Sequence, residues 1–271
     1  MENQIADSLE DYTSRNVVLG EISKKVYIAG VGPAVIVMPE MPGISPHVLR
    51  FARWVREAGF TVYIPSLFGK DGAEPLVREG IVIFKRACVS SEFRTLASNE
   101  SSPIVDWLRG LAKIAHEESG GIGVGAVGMC FTGNFALTMM LEPSMLAPVL
   151  CQPSLPLDNP AGINMSRDEL QNVKARLDRD NLTVLGYRFS GDFHCRAERF
   201  NAYKQELGDH FVERVLPDEA AHPSPPPFFD KVIVSPHSVV TAHLIDEEGS
   251  PTIKARDEIL SFLKLRLKDN F

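Results

Sequence analysis

The chain has 271 residues, 44% of them hydrophobic, enough to bury a sizeable core within one domain. Its formal charge of −7, with no long run of like charge, argues against nucleic acid or an anionic membrane surface as the main partner. No apolar run reaches the roughly eighteen residues that a spanning helix needs, and the acidic opening MENQIADSLEDYTSR lacks the basic and apolar regions of a secretory signal, so the expected compartment is the cytoplasm.

Residues 1–20 read as an N-terminal extension to a single domain spanning 1–271. The first strong strand is AVIVMPE, residues 34–40, apolar on both faces and closed by proline, as a buried parallel strand would be. SPHVLRFARWVREAG follows as a helix. Ser45 suits its cap and Pro46 its first turn, while Val48, Phe51, Ala52 and Val55 recur at helical spacing before Gly59 stops it. FTVYIPSLFG is the next strand with its exit loop. Residues 101–121 form a second helix, with Ile104, Trp107, Leu108, Leu111 and Ala115 on one face and glycines at its end.

A strand over 122–128 then leads into GMCFTGNFAL and a helix over 132–141. SMLAPVLCQ, NLTVLGYRF and HFVERVLP read as further strands. SRDELQNVKARLDRD, CRAERFNAYKQELG and SPTIKARDEILSFLKLRLK read as helices. This alternation predicts an α/β fold with one mostly parallel sheet covered by helices on both faces. HPSPPPFF, residues 222–229, reads as a stiff surface loop.

The four cysteines, Cys88, Cys130, Cys151 and Cys195, include no Cys-x-x-Cys pair, and a reduced state without a disulfide framework is expected. His194 and Cys195 are adjacent, and His237 and His243 are not at His-x-x-x-His spacing, so no metal site is expected. Cys130 stands apart from the other three. Gly128-Met129-Cys130-Phe131-Thr132-Gly133 sits where a mid-sheet parallel strand feeds a helix, the setting of the G-x-S-x-G turn that presents a nucleophile. Cysteine replaces serine there, and threonine takes the second glycine position, with Gly133 one step later. A thiol at a helix start also meets the positive dipole end, which favours the thiolate. The same residue fits a buried structural cysteine, because free Cys is among the most buried residue types.

A nucleophile of this kind is followed along the chain by an acid and then a histidine. Asp192, in TVLGYRFSGDFHC just past a strand, is the candidate acid, with an ordinary turn aspartate as the alternative. KVIVSPHSVVTAHL offers two histidines. His237, in a Pro-His-Ser turn, is preferred to His243, which lies within an alternating apolar stretch. Glu40 is a further oddity, since a carboxylate that ends an apolar strand is costly to bury without a partner.

PAVIVMPEMPGI, GFTVYIPSLFG, GMCFTGNFAL, RFSGDFHCRAERF and PHSVV, in this order over residues 33–267, together resemble the dienelactone hydrolase family of α/β-hydrolases. The resemblance implies an α/β-hydrolase fold with Cys130 as nucleophile, His237 as base and Asp192 as its orienter. It also implies that Glu40 contacts the resting thiol and takes its proton when substrate binds. The implied reaction is attack of the Cys130 sulfur on a small ester or lactone, without a cofactor. The backbone N–H groups of Phe131 and Met41 are the expected oxyanion donors. The family's substrate arginines match no motif here; Arg94 is the candidate for that role from its place in a loop region, with an ordinary surface arginine as the alternative. The alternatives are a related hydrolase of thioesters or peptides and a non-catalytic binding protein on the same fold. A binding protein has no need of Cys130, Asp192, His237 and Glu40 together.

Overall fold

The computed structural model describes residues 7–74, 76–90, 92–93 and 102–268. Among them, eight strands form one sheet: β1 (Thr13–Leu19), β2 (Ile22–Gly30), β3 (Ala34–Met38), β4 (Thr61–Pro65), β5 (Val124–Met129), β6 (Met145–Cys151), β7 (Val184–Phe189) and β8 (Phe211–Leu216). Their order across the sheet is β1-β2-β4-β3-β5-β6-β7-β8. From β4 to β8 all neighbours run parallel. The β1–β2 and β2–β4 pairs are antiparallel. β3, β5 and β7 are buried at every position, which is why their sequences are apolar without alternation.

The helices are α1 (Pro46–Glu57), α2 (Val77–Val89), α3 (Pro103–Ser119), α4 (Phe135–Thr138), α5 (Arg167–Asp180), α6 (Ala197–Leu207) and α7 (Pro251–Leu267). The apolar stripes of α1 and α7 pack with Val35, Val37, Val127 and Val149 in one core. Those of α3, α5 and α6 pack with Ala34, Ile36, Ala126 and Leu150 in the other. Alternate residues of one strand therefore feed opposite cores, as the period of two requires. The expected sheet with helices on both faces is what the chain forms. Among the described residues, no helix is long and apolar enough to cross a membrane.

Three local features depart from the sequence reading. Residues 1–20, read as an extension, contribute β1, which forms a hairpin with β2 through Gly20 at φ +59°. Helix α2 lies in a stretch that had no expected element. The helix expected over 132–141 is broken into a 3₁₀ turn (Cys130–Thr132), the four-residue α4 and a second 3₁₀ turn (Met139–Leu141). The buried Arg176 guanidinium of α5 takes the carbonyls of Met140, Glu142, Pro143 and Met145, which replaces the partners a continuing helix would supply.

Candidate active site

Parallel strands all end on the same edge of the sheet, and in open α/β sheets that carboxyl edge is where ligands bind. Here β3 leads to Glu40, β5 to Cys130, β6 to Ser154 and β7 to Asp192. The register sets Met38 beside Gly128, Met129 beside Cys151 and Cys151 beside Tyr187, so the four exits are neighbours. The loop before α7 brings His237 to the same edge.

Cys130 directly follows β5 with φ +55°, a conformation that L-residues rarely adopt, so the turn is strained at this residue. A Cβ on Gly128 would lie 2.3 Å from the Thr132 carbonyl oxygen, and one on Gly133 would lie 2.5 Å from Pro153 Cα. Both glycines are therefore set by close backbone approach. Thr132, the departure from the usual motif, is fully buried. Its Oγ1 accepts from the Met129 N–H at 2.9 Å, and its own proton faces the carbonyls of Met129, Met38 and Pro39 at 3.0, 3.2 and 3.3 Å. A glycine could not tie this turn to the end of β3. The Phe131 amide lies at the start of the turn, where N–H groups lack an intrahelical partner. Its ring packs against Phe68, Phe93 and Phe135, with centroids 5.6, 5.5 and 6.3 Å away.

Asp192 Oδ2 lies 2.7 Å from His237 Nδ1, and the two side chains are almost completely buried. The other oxygen, Oδ1, accepts from the backbone N–H groups of His194 and Cys195 at 2.8 and 3.0 Å. Burial pushes the Asp192 carboxyl up, but His237 and these hydrogen bonds outweigh it and the net direction is down. For His237, burial lowers the pKa while Asp192 and Cys130 raise it, and the ring ends well above the usual histidine range. Its Nε2 is buried without an aligned hydrogen-bond partner among the described residues, although the Cys130 sulfur is near enough to act on the ring. His243 points elsewhere: its Nδ1 accepts from the Ser238 N–H at 3.2 Å.

Glu40 is 1% exposed. Its Oε2 accepts from Ser238 Oγ at 2.5 Å and its Oε1 from Thr241 Oγ1, both in the loop that carries His237, while Gln152 Nε2 approaches Oε2 at 3.5 Å. Burial raises its pKa against these hydrogen bonds and the charge of His237. The thiol has a different described partner, Ser154 Oγ, at 3.2 Å. Met41 is buried directly after Glu40. Arg94 lies outside the described residues.

Sequence reasoning had not singled out Ser154, Gln152, Ser238 or Thr241. For Ser238 and Thr241 the missed signal was their nearness to a candidate histidine. For Ser154 and Gln152 it was their place just past the end of a strand.

This architecture, with a strained cysteine turn in mid-sheet and a buried Asp–His pair at the same edge, is that of an α/β-hydrolase. The sequence profile of the dienelactone hydrolase family matches residues 23–207, and the chain belongs to that family. The fold is similar to the dienelactone hydrolase of Anabaena variabilis, at 15% identity and a TM-score of 0.61, over 95% of this chain and 98% of that one. It is likewise similar to a putative dienelactone hydrolase from Klebsiella pneumoniae, at 15% identity and a TM-score of 0.59, over 92% and 98% of the two chains. A dienelactone hydrolase-like promiscuous phosphotriesterase, P91, from metagenomic libraries matches at 17% identity and a TM-score of 0.60, over 94% and 99%. A search of curated proteins finds no match.

Proposed function

We propose that this hydrolase cleaves small carboxylic esters or lactones by acyl transfer to Cys130. The observation that carries the reading is the buried Asp192–His237 hydrogen bond of 2.7 Å, which fixes an imidazole with its free Nε2 beside the cysteine turn. Asp192 holds the ring through Nδ1–H and stabilises its cationic form, so the Nε2 proton is available to the reaction.

The Cys130 sulfur attacks the carbonyl carbon as thiolate, its proton resting on His237. The tetrahedral oxyanion is held by the N–H groups of Phe131 and Met41. Collapse breaks the acyl–oxygen bond, and His237 gives its proton to the leaving alkoxide. The acyl group remains on sulfur as a thioester. His237 then removes a proton from water, the hydroxide attacks the thioester, and the thiolate leaves with the acid product. A lactone keeps its leaving oxygen tethered, so one hydroxy or keto acid is released. Protein groups, substrate and water account for every bond and proton in this cycle. The phenylalanines around Phe131 suit an apolar group beside the carbonyl. Glu40 serves as a positioning residue for the loop that carries His237.

The test is hydrolysis of a panel of small aryl esters and five- and six-membered lactones. Wild type turns over at least one class, and Cys130→Ala lowers kcat on the order of 10³-fold or more. Hydrolysis that survives Cys130→Ala at the wild-type rate would overturn the assignment.

A further inference from the structure

Ser154 follows β6, is 3% exposed, and has its hydroxyl 3.2 Å from the Cys130 sulfur. Its backbone N–H donates to the Cys130 carbonyl at 3.0 Å. The main chain thus fixes the spacing of the two residues before either side chain is considered. Pro153, just before it, packs against Gly133 of the cysteine turn. The contact is built from both sides.

The direction of the hydrogen bond follows from satisfiability. A buried hydroxyl needs an acceptor for its proton, and among the described residues the sulfur is the one partner of Ser154 Oγ. A thiol S–H, by contrast, is a weak donor. A helix start, another source that would favour a thiolate, is weak here. The helix after the turn is broken after three residues, and α4 is four residues long, so its dipole is short. The charge of His237 also acts on the sulfur and favours the thiolate, in wild type and in Ser154 variants alike.

We propose that Ser154 is a further catalytic residue of this site, whose hydroxyl donates to the Cys130 sulfur and stabilises the thiolate over the thiol. The proposal rests on Cys130 being the nucleophile. The ionisable groups that face the sulfur are His237, with Asp192 behind it, and Cys195, which Arg188 and Arg199 face in turn. Glu40 faces His237 and Cys151 from the other side. None of these is changed by substitutions at Ser154, so a change in thiol reactivity reports the hydroxyl.

The experiment measures alkylation of Cys130 by iodoacetamide between pH 5 and 10, read by mass spectrometry of the Cys130 peptide, in the full chain. Ser154→Ala should slow alkylation at pH 7 by about five- to tenfold and move the midpoint of the profile to higher pH, as loss of a hydrogen bond to a charged group requires. Ser154→Thr keeps a hydroxyl and should stay within about twofold of wild type. If Ser154→Ala does not fold, Ser154→Gly removes the same hydroxyl with a smaller side chain and is judged by the same criterion. A profile for Ala or Gly that overlays wild type, or moves to lower pH, overturns the proposal. Loss of hydrolysis in Cys130→Ala with an unchanged Ser154→Ala profile sinks the role of Ser154 alone. Hydrolysis that survives Cys130→Ala sinks the nucleophile instead.

Discussion

Both oxygens of Glu40 are occupied by hydroxyls of the loop that carries His237, Ser238 to Oε2 and Thr241 to Oε1. Removing the carboxylate leaves two fully buried hydroxyls without an acceptor, which costs about 1–3 kcal/mol for each. Glu40→Ala should therefore lower unfolding free energy by about the sum of the two and slow hydrolysis, because the imidazole loses its support. Glu40→Gln keeps one acceptor and should retain more of both. The role implied by family resemblance, direct proton acceptance from the thiol, makes a different demand. It requires Glu40→Gln to be as inactive as Glu40→Ala and to alkylate faster at Cys130. Denaturant titration, turnover and thiol labelling of the two variants separate the alternatives. At this scale the sequence shows that Glu40 is unusual, since a carboxylate closes an apolar strand. Its partners lie 198 and 201 residues away, so their identity follows from the tertiary structure alone.

At the scale of elements, legibility tracks burial. β3, β5 and β7 are readable because helices on both faces make every position apolar. β1 and β2 lie at the antiparallel end of the sheet, β1 largely exposed and β2 largely half-buried, so neither shows the continuous apolar run of the central strands. The two-residue link Gly20-Glu21, with Gly20 at φ +59°, was the available hairpin signal. Helix α2 is hidden by the run Ile81-Val82-Ile83, which reads as strand, and by Gly80, where a Cβ would meet the Phe228 ring at 2.3 Å. A residue from a distant loop dictates that glycine. The cysteine turn offers a test of the same physics. Gly133 has φ −52°, which any residue tolerates, so only space excludes a side chain. Gly133→Ala would press its Cβ on the Pro153 backbone and shift the strand exit that carries Ser154. The expected cost is about 1–3 kcal/mol with a loss of kcat/KM of about tenfold or more. Gly208→Ala, with open space around its Cβ, should cost about 1–3 kcal/mol from its backbone conformation (φ +59°, ψ −131°) alone and leave kcat/KM unchanged. Equal activity losses in the two variants would contradict the close-approach account.

At the scale of the whole molecule, His237 is held charged while His47, His194 and His243 are held neutral, and these four shape how stability responds to acid. His237 lies above the usual histidine value, so its contribution is present below pH about 6.5 and is lost as pH rises through the folded value. His243 is the opposite case. Burial, reinforced by the nearby charge of His237, brings it down to about 3, and burial with Arg50 brings His47 down to about 4. Between pH 6.5 and these values the unfolded chain binds protons that the folded chain refuses, so stability falls as pH falls. Asp192, whose net shift is downward, adds a further loss below the ordinary carboxylate range. Glu40 opposes these, because its raised pKa lets the folded state take up a proton while the unfolded carboxylate is still ionised. The His243 contribution can be isolated by substitution. His243→Asn places an amide oxygen where Nδ1 accepts from the Ser238 N–H and removes the titration. Wild type should lose roughly 2–3 kcal/mol more than His243→Asn between pH 7 and pH 4.5, because one proton uptake is worth about 1.4 kcal/mol per pH unit. Thermal melts across that range read this as a steeper fall in Tm for wild type. Parallel curves for the two proteins would mean that His243 charges in the folded state, and that its burial does not exclude the proton.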